Sequence, residues 1–190
     1  MKVSLLVSIV AMTAALSSSA RAVVLWNETI SGDLSGDFAL PTVLGSLGAG
    51  THSIIGGDSG AARDIFTITV PAGMSLVSVF NSAYSGSDGT AFIGIGSGTS
   101  INSGSAPASL LGYTHFGTGP GTVGTEIIDD IAVGPGSATF TPPLGAGTYT
   151  VWMQQAGSAA TWQMDFVVVP EPGYASLLLL GLPWMARRRR

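Results

Sequence analysis

The stretch Thr161-Trp162-Gln163-Met164-Asp165-Phe166-Val167-Val168-Val169 decides the fold class. Trp162, Met164, Phe166 and Val168 alternate with Gln163, Asp165 and Val167. A period of two places successive side chains on opposite faces, so this is a half-buried strand with one apolar face. Just upstream, Thr148 to Gln154 reads as a second strand, and the pair is predicted to form a hairpin across Ala156-Gly157-Ser158. The same alternation recurs in Arg63 to Val70, with Ile65, Thr67 and Thr69 on one face and Phe66, Ile68 and Val70 on the other. Val70-Pro71-Ala72-Gly73 then supplies a turn, because proline fixes φ and glycine accepts φ > 0. Met74 to Phe80 is the predicted return strand of that hairpin, and Val23 to Ile30, Thr51 to Ile55 and Ala91 to Ile95 are further strand candidates.

One helix is predicted. Thr125 is positioned to cap Glu126 to Val133, Gly134-Pro135-Gly136 ends the segment, and Asp129 and Asp130 fall on its polar side. The sum is a mainly β chain, an antiparallel β-sandwich of jelly-roll type with one short helix. The expected organisation is a signal peptide over 1–22, a β-sandwich domain over 23–168 and a sorting segment over 169–190.

The charges are segregated. Six of the seven basic residues, Lys2, Arg21 and Arg187 to Arg190, lie in the terminal segments. Between Val23 and Pro170 the single base Arg63 stands against ten acids, a charge of −9. That field repels phosphate backbones, so no nucleic-acid partner is expected. Cysteine is absent, which excludes disulfides and thiolate metal sites. Glycine reaches 27 of 190 residues without any repeat, which excludes collagen.

Lys2 followed by the apolar run Val3 to Leu16 and by Ala20-Arg21-Ala22 has the three parts of a cleaved signal peptide, with cleavage marked by Ala20 and Ala22. Ser18-Ser19-Ala20 is a competing cleavage site. At the other end Val169-Pro170-Glu171-Pro172 precedes an apolar stretch, Tyr174 to Ala186, and the four arginines Arg187, Arg188, Arg189 and Arg190. Pro170 and Pro172 cannot donate to a sheet ladder, so the preceding strand must end there. As a helix, 13 residues reach about 20 Å against a hydrocarbon core of about 30 Å, enough for a transient, arginine-anchored insertion in the inner membrane. Four arginines would hold that end in the cytoplasm.

These three parts in order resemble the PEP-CTERM sorting signal of exported Gram-negative bacterial proteins. The resemblance implies export by signal peptidase, recognition and processing by exosortase, and delivery to the cell surface or exopolysaccharide matrix, with exopolysaccharide as a partner. Pro183 departs from a straight apolar helix. The central residues Gly50-Thr51-His52-Ser53-Ile54-Ile55-Gly56, Asp64 to Gly73 and Gly145 to Trp152 resemble the bacterial pre-peptidase C-terminal β-sandwich family. That resemblance implies a non-catalytic accessory module.

Several motifs offer chemistry without its required context. Gly57-Asp58-Ser59-Gly60 matches the tetrapeptide around a trypsin-like nucleophile, but His52 and His115 are the only histidines, and too little chain precedes Asp58 for that fold. Gly119-Pro120-Gly121-Thr122-Val123-Gly124 matches G-x-G-x-x-G but lacks a βαβ frame. Asp33, Asp37, Asp58, Asp64 and Asp88 could supply oxygen ligands to calcium, without EF-hand spacing. No Ser–His–Asp cluster and no closely facing carboxylate pair in a cleft is expected. Asn27-Glu28-Thr29 fits a glycosylation sequon.

Trp26, Trp152, Trp162, Tyr84, Tyr113 and Tyr149 are candidate sugar platforms as well as candidate core residues. A Trp152 that faces outward beside Gln154 would favour a carbohydrate surface. The expectation is an exported, non-enzymatic surface or matrix protein with no cofactor and no catalytic or metal residues. The alternative is a carbohydrate-binding or calcium-dependent adhesion module.

Overall fold

A computed structural model describes residues 21–59, 62–87, 89–119, 121–155 and 157–172, with only the backbone of Asp58 and Ser59. The signal segment before Arg21, the apolar stretch from Tyr174 and the four terminal arginines lie outside the described residues.

Among the described residues, nine strands form two sheets facing each other. They are β1 (Val23–Asn27), β2 (Thr42–Ser46), β3 (Gly50–Ser59), β4 (Arg63–Val70), β5 (Met74–Gly86), β6 (Thr90–Ser97), β7 (Gly112–Gly117), β8 (Gly147–Gln154) and β9 (Ala159–Pro170). One sheet has the order β1-β3-β9-β5 and the other β2-β4-β8-β6-β7. The pairings are antiparallel except β1 with β3 and β2 with β4, which are parallel. The mainly antiparallel β-sandwich is therefore the fold.

The inward positions follow from the alternation. On β9 they are Trp162, Met164, Phe166 and Val168, all buried; on β4 they include Phe66, Ile68 and Val70. Phe66 meets Phe166 across the interior edge to face at 6.2 Å. Burying each such side chain is worth about 1.5–3 kcal/mol.

Both predicted hairpins are corrected. β4 and β5 lie in different sheets, as do β8 and β9. The edges of β4 are taken by β2 and β8, and those of β9 by β3 and β5, so each short connection must cross to the other sheet. The Pro71–Gly73 turn survives as a crossing turn, closed by Met74 N–H to the Pro71 carbonyl at 3.1 Å with Gly73 at φ 76°. Buried Gln155 anchors the second crossing by donating from Nε2 to the Thr90 carbonyl at 2.9 Å.

Boundaries shift elsewhere for local reasons. β1 stops at Asn27, whose Oδ1 accepts from Thr29 N at 3.1 Å and starts the single-turn helix α1 (Glu28–Ser31). Thr51 to Ile55 extends into the ten-residue β3. The predicted helix is shorter, α2 (Ile128–Ala132), and Thr125 does not cap it. Thr125 Oγ1 donates to the Thr122 carbonyl instead, while Thr125 to Ile127 is pinned to β5 through Asn81 N–H to Thr125 O and Ile127 N–H to Val79 O. The N-cap is Ile127, and the preceding Glu126 accepts from Ile128 N through Oε1 at 2.8 Å. Asp129 and Asp130 are exposed, as expected of a solvated face.

β9 runs through Val169 to Pro170, which pairs with Met74. Glu171 N–H donates to the Gly73 carbonyl at 2.8 Å, and its Oε1 accepts from Ser75 Oγ at 3.3 Å. The Pro-Glu-Pro segment is thus tied to the start of β5. Among the described residues no helix is long and apolar enough to cross a membrane.

Candidate functional site

The two outer faces differ in character. On the four-stranded sheet the outward residues of β9 are Thr161, Gln163, Asp165 and Val167. Asp165 accepts hydrogen bonds from Ser53 Oγ and Ser82 Oγ, each at 2.6 Å, and from Gln163 Nε2 at 3.0 Å. That face joins this polar row to the outward Ile55, Phe80 and Val167.

The outer face of the five-stranded sheet carries rings. Strand register aligns Ile65, Trp152, Gly94 and Tyr113 in one cross-strand row and Arg63, Gln154, Phe92 and His115 in the next. The 34–40 segment adds Phe38, because Ile65 N–H donates to the Ser35 carbonyl and holds that segment against β4. Phe38 meets Trp152 edge to face at 4.7 Å, and Trp152 meets Phe92 at 4.7 Å with a 58° tilt. Phe92 stacks on Tyr113 at 5.5 Å and 28°, and contacts His115 at 5.9 Å. Trp152, Phe92, Tyr113 and Phe38 are half-buried and His115 is exposed. The rings are not coplanar, so they line a trough and not a flat platform.

Two shallow depressions open there. One of ≈ 400 Å³ is lined by Phe92, His115, Trp152, Gln154 and Gln155 together with Thr90 and Ala91. The other, of ≈ 240 Å³, lies between Trp152, Phe92, Tyr113 and the Ala106–Leu110 loop. Gly94 gives them their floor, because a Cβ there would lie 3.0 Å from both Phe92 and Leu110. Polar groups are set among the rings. Trp152 Nε1 donates to Gln154 Oε1 at 3.1 Å, and Tyr113 OH donates to the Pro135 carbonyl at 3.0 Å.

Of the six aromatic candidates in the sequence, Trp152 and Tyr113 reach this face. Trp162, Tyr84 and Tyr149 belong to the core, and Trp26 donates from Nε1 to the Gly32 carbonyl. Phe38, Phe92 and His115 were not among those candidates. The signal for Phe92 was the outward series Phe92, Gly94, Gly96, in which one ring stands beside two positions without side chains.

The other candidate motifs separate. His52 is buried, with Nε2 2.8 Å from the Gly48 carbonyl, whereas His115 lies on the ring face. Gly57 to Ser59 is the end of β3, and Gly60, Asp88 and Pro120 lie outside the described residues. The Gly119–Gly124 loop is held against β5, with the Gly121 carbonyl accepting from Asn81 Nδ2 at 2.7 Å.

Three acids come together in the fold. Glu28, Asp33 and Asp64 bring carboxylate oxygens within 4.8 Å of one another. Glu28 also lines a cleft of ≈ 360 Å³ with Asn27, Thr29, Gly57 and Thr161. The sequence scattered these acids over 37 positions; α1 folds Glu28 and Asp33 back toward the inward-facing Asp64 of β4. Burial pushes the Glu28 carboxyl above its ordinary value, against hydrogen bonds from Leu34 N and Gly57 N, and the Asp33 carboxylate adds to the rise. An all-oxygen set of this kind suits a hard cation such as calcium. Both Glu28 oxygens already accept from backbone N–H groups, at 2.9 and 2.7 Å, which also gives the carboxylate a structural role.

No family model matches the chain. No curated protein matches it. Among solved structures, PliG of Aeromonas hydrophila, a periplasmic lysozyme inhibitor of g-type lysozyme, aligns over 67% of this chain and 98% of its own. The two are 14% identical over that alignment, with a TM-score of 0.35.

Proposed function

We propose that the protein is an exported, non-enzymatic carbohydrate-binding module of the bacterial cell surface or exopolysaccharide matrix. The observation that carries this is the aromatic trough on the outer face of the five-stranded sheet. Rings at outward strand positions, interleaved with amide and imidazole groups, match the two surfaces of a pyranose. Its C–H face packs on π clouds, and its hydroxyls seek hydrogen-bond partners.

Delivery rests on the sequence. The Pro170-Glu171-Pro172 triplet, the apolar stretch 174–186 and Arg187 to Arg190 support exosortase processing after transient insertion in the inner membrane, following signal peptidase cleavage at Ala20 or Ala22. The folding of β9 up to Pro170 supports a cut C-terminal to the sandwich.

Two measurements test this. Titration calorimetry with the exopolysaccharide of the producing cell should give binding that Trp152→Ala abolishes. Unaltered binding by that variant contradicts the site. Intact-mass analysis of the surface-released protein should show loss of Met1 to Ala20 or Ala22 and of Arg187 to Arg190. A released species that keeps the four arginines contradicts the processing.

A further inference from the structure

We propose that the trough selects an acidic oligosaccharide, one whose uronic acid carboxylate is received by Arg63 and Gln154. The inference rests on the carbohydrate reading above and adds the chemistry of the ligand.

Arg63 is the one Lys or Arg between Val23 and Pro170, so in a span whose net charge of −9 repels polyanions it is the single place where a short ligand's lone carboxylate finds a fixed positive charge. It stands at the end of the ring row, exposed, on the strand position opposite Gln154. Its guanidinium lies 4.8 Å above the centroid of Phe38, whose ring edge meets Trp152. A guanidinium held beside a ring by cation–π attraction keeps N–H donors whose planar fork matches a carboxylate. The amide on the paired strand position supplies a second donor. Gln154 Oε1 accepts from Trp152 Nε1, so Nε2 carries the donor hydrogens.

Two nearby acids have their own places. Asp37 Oδ1 accepts from its own loop at Ala39 N, at 2.8 Å, and Asp64 points to the interior. The rows from β4 to β7 cover three strand spacings, about 14 Å at about 4.8 Å each, which suits a short oligosaccharide whose acid end lies at Arg63.

The test compares a galacturonic acid trisaccharide with its methyl ester, titrated into the full chain by calorimetry. The two share their rings and differ in charge. We expect the acid to bind roughly three- to tenfold tighter than the ester, the scale of a solvent-accessible, charge-assisted pair. Arg63→Gln should bring the acid down to the affinity of the ester and leave the ester unchanged, with Arg63→Lys intermediate. Far-ultraviolet circular dichroism and the melting temperature of each variant report its folding. Equal affinity for acid and ester in the unaltered chain overturns the inference and leaves the carbohydrate reading standing. So does a preference for the acid that survives in folded Arg63→Gln. Binding of neither sugar, nor of the cell's own exopolysaccharide, overturns both.

Discussion

Trp152 and Trp162 lie ten positions apart, one on the outer face and one between the sheets, and replacing each by alanine separates a binding face from a core. Trp162 is 2% exposed, between the sheets. Truncating a buried tryptophan costs about 3–5 kcal/mol. The buried Nε1 of Trp162 has no hydrogen-bond partner, and an unpaired buried donor costs about 1–3 kcal/mol, a penalty that truncation removes. The expected loss is therefore at the low end, about 3 kcal/mol. Trp152 is half-buried, and its truncation forfeits the contacts with Phe38 and Phe92, each worth about 0.5–1.5 kcal/mol. Solvent already reaches part of that ring, so we expect about 1–2 kcal/mol. Urea unfolding followed by circular dichroism measures both values, with the denaturant slope unchanged. At about 2–4 °C per kcal/mol for a chain of this size, thermal melts should place the two variants several degrees apart. If Trp152→Ala costs as much as Trp162→Ala, the outer rings are a second core and the argument for an open binding face fails.

Other perturbations test other parts of the structure. A Cβ at Gly112 would run into the Ile131 carbonyl, so Gly112→Ala should destabilise by about 1–3 kcal/mol in the same assay. Asp165→Ala should cost about 1–3 kcal/mol by leaving the Ser53 and Ser82 hydroxyls without their acceptor, whereas an exposed charge would cost almost nothing. The Glu28 carboxyl is raised by burial above 4.5, so the folded state holds its proton more firmly than the unfolded chain. Its contribution favours folding below pH 4.5 and is lost as pH rises through the higher folded value. Glu28→Gln should flatten that part of the stability–pH profile, whatever its effect on absolute stability.

The sheets were legible because alternation survives wherever one face is buried. Arg63 to Val70 is found with its predicted bounds, and the core face of β9 is the predicted one. Strand partners were not legible. A short Pro-Gly or Gly-Ser connection reads alike whether it reverses within a sheet or crosses between sheets, and only the occupied edges of β4 and β9 decide it. β2 escaped notice because Gly45 at φ 87° interrupts it and Val43 is exposed. The ring face was half legible. Trp152 beside Gln154 pointed to it, but Phe38 arrives on a loop and Phe92 arrives through the β6–β8 register, neither of which periodicity encodes. Of the carboxylate trio Asp33 and Asp64 were named in the sequence, but Glu28 and the grouping were not, because α1 is one turn long and leaves little pattern.

The account stands most directly on where a sugar lands. Amide and indole N–H chemical shifts of the labelled full chain, followed while a galacturonic acid trisaccharide is added, report this residue by residue. The account predicts shifts clustered at Phe38, Arg63, Phe92, Tyr113, His115 and the Trp152 indole, with Ser53, Gln163 and Asp165 on the opposite face unmoved. Shifts centred on that face, or on the cleft at Glu28, would contradict it.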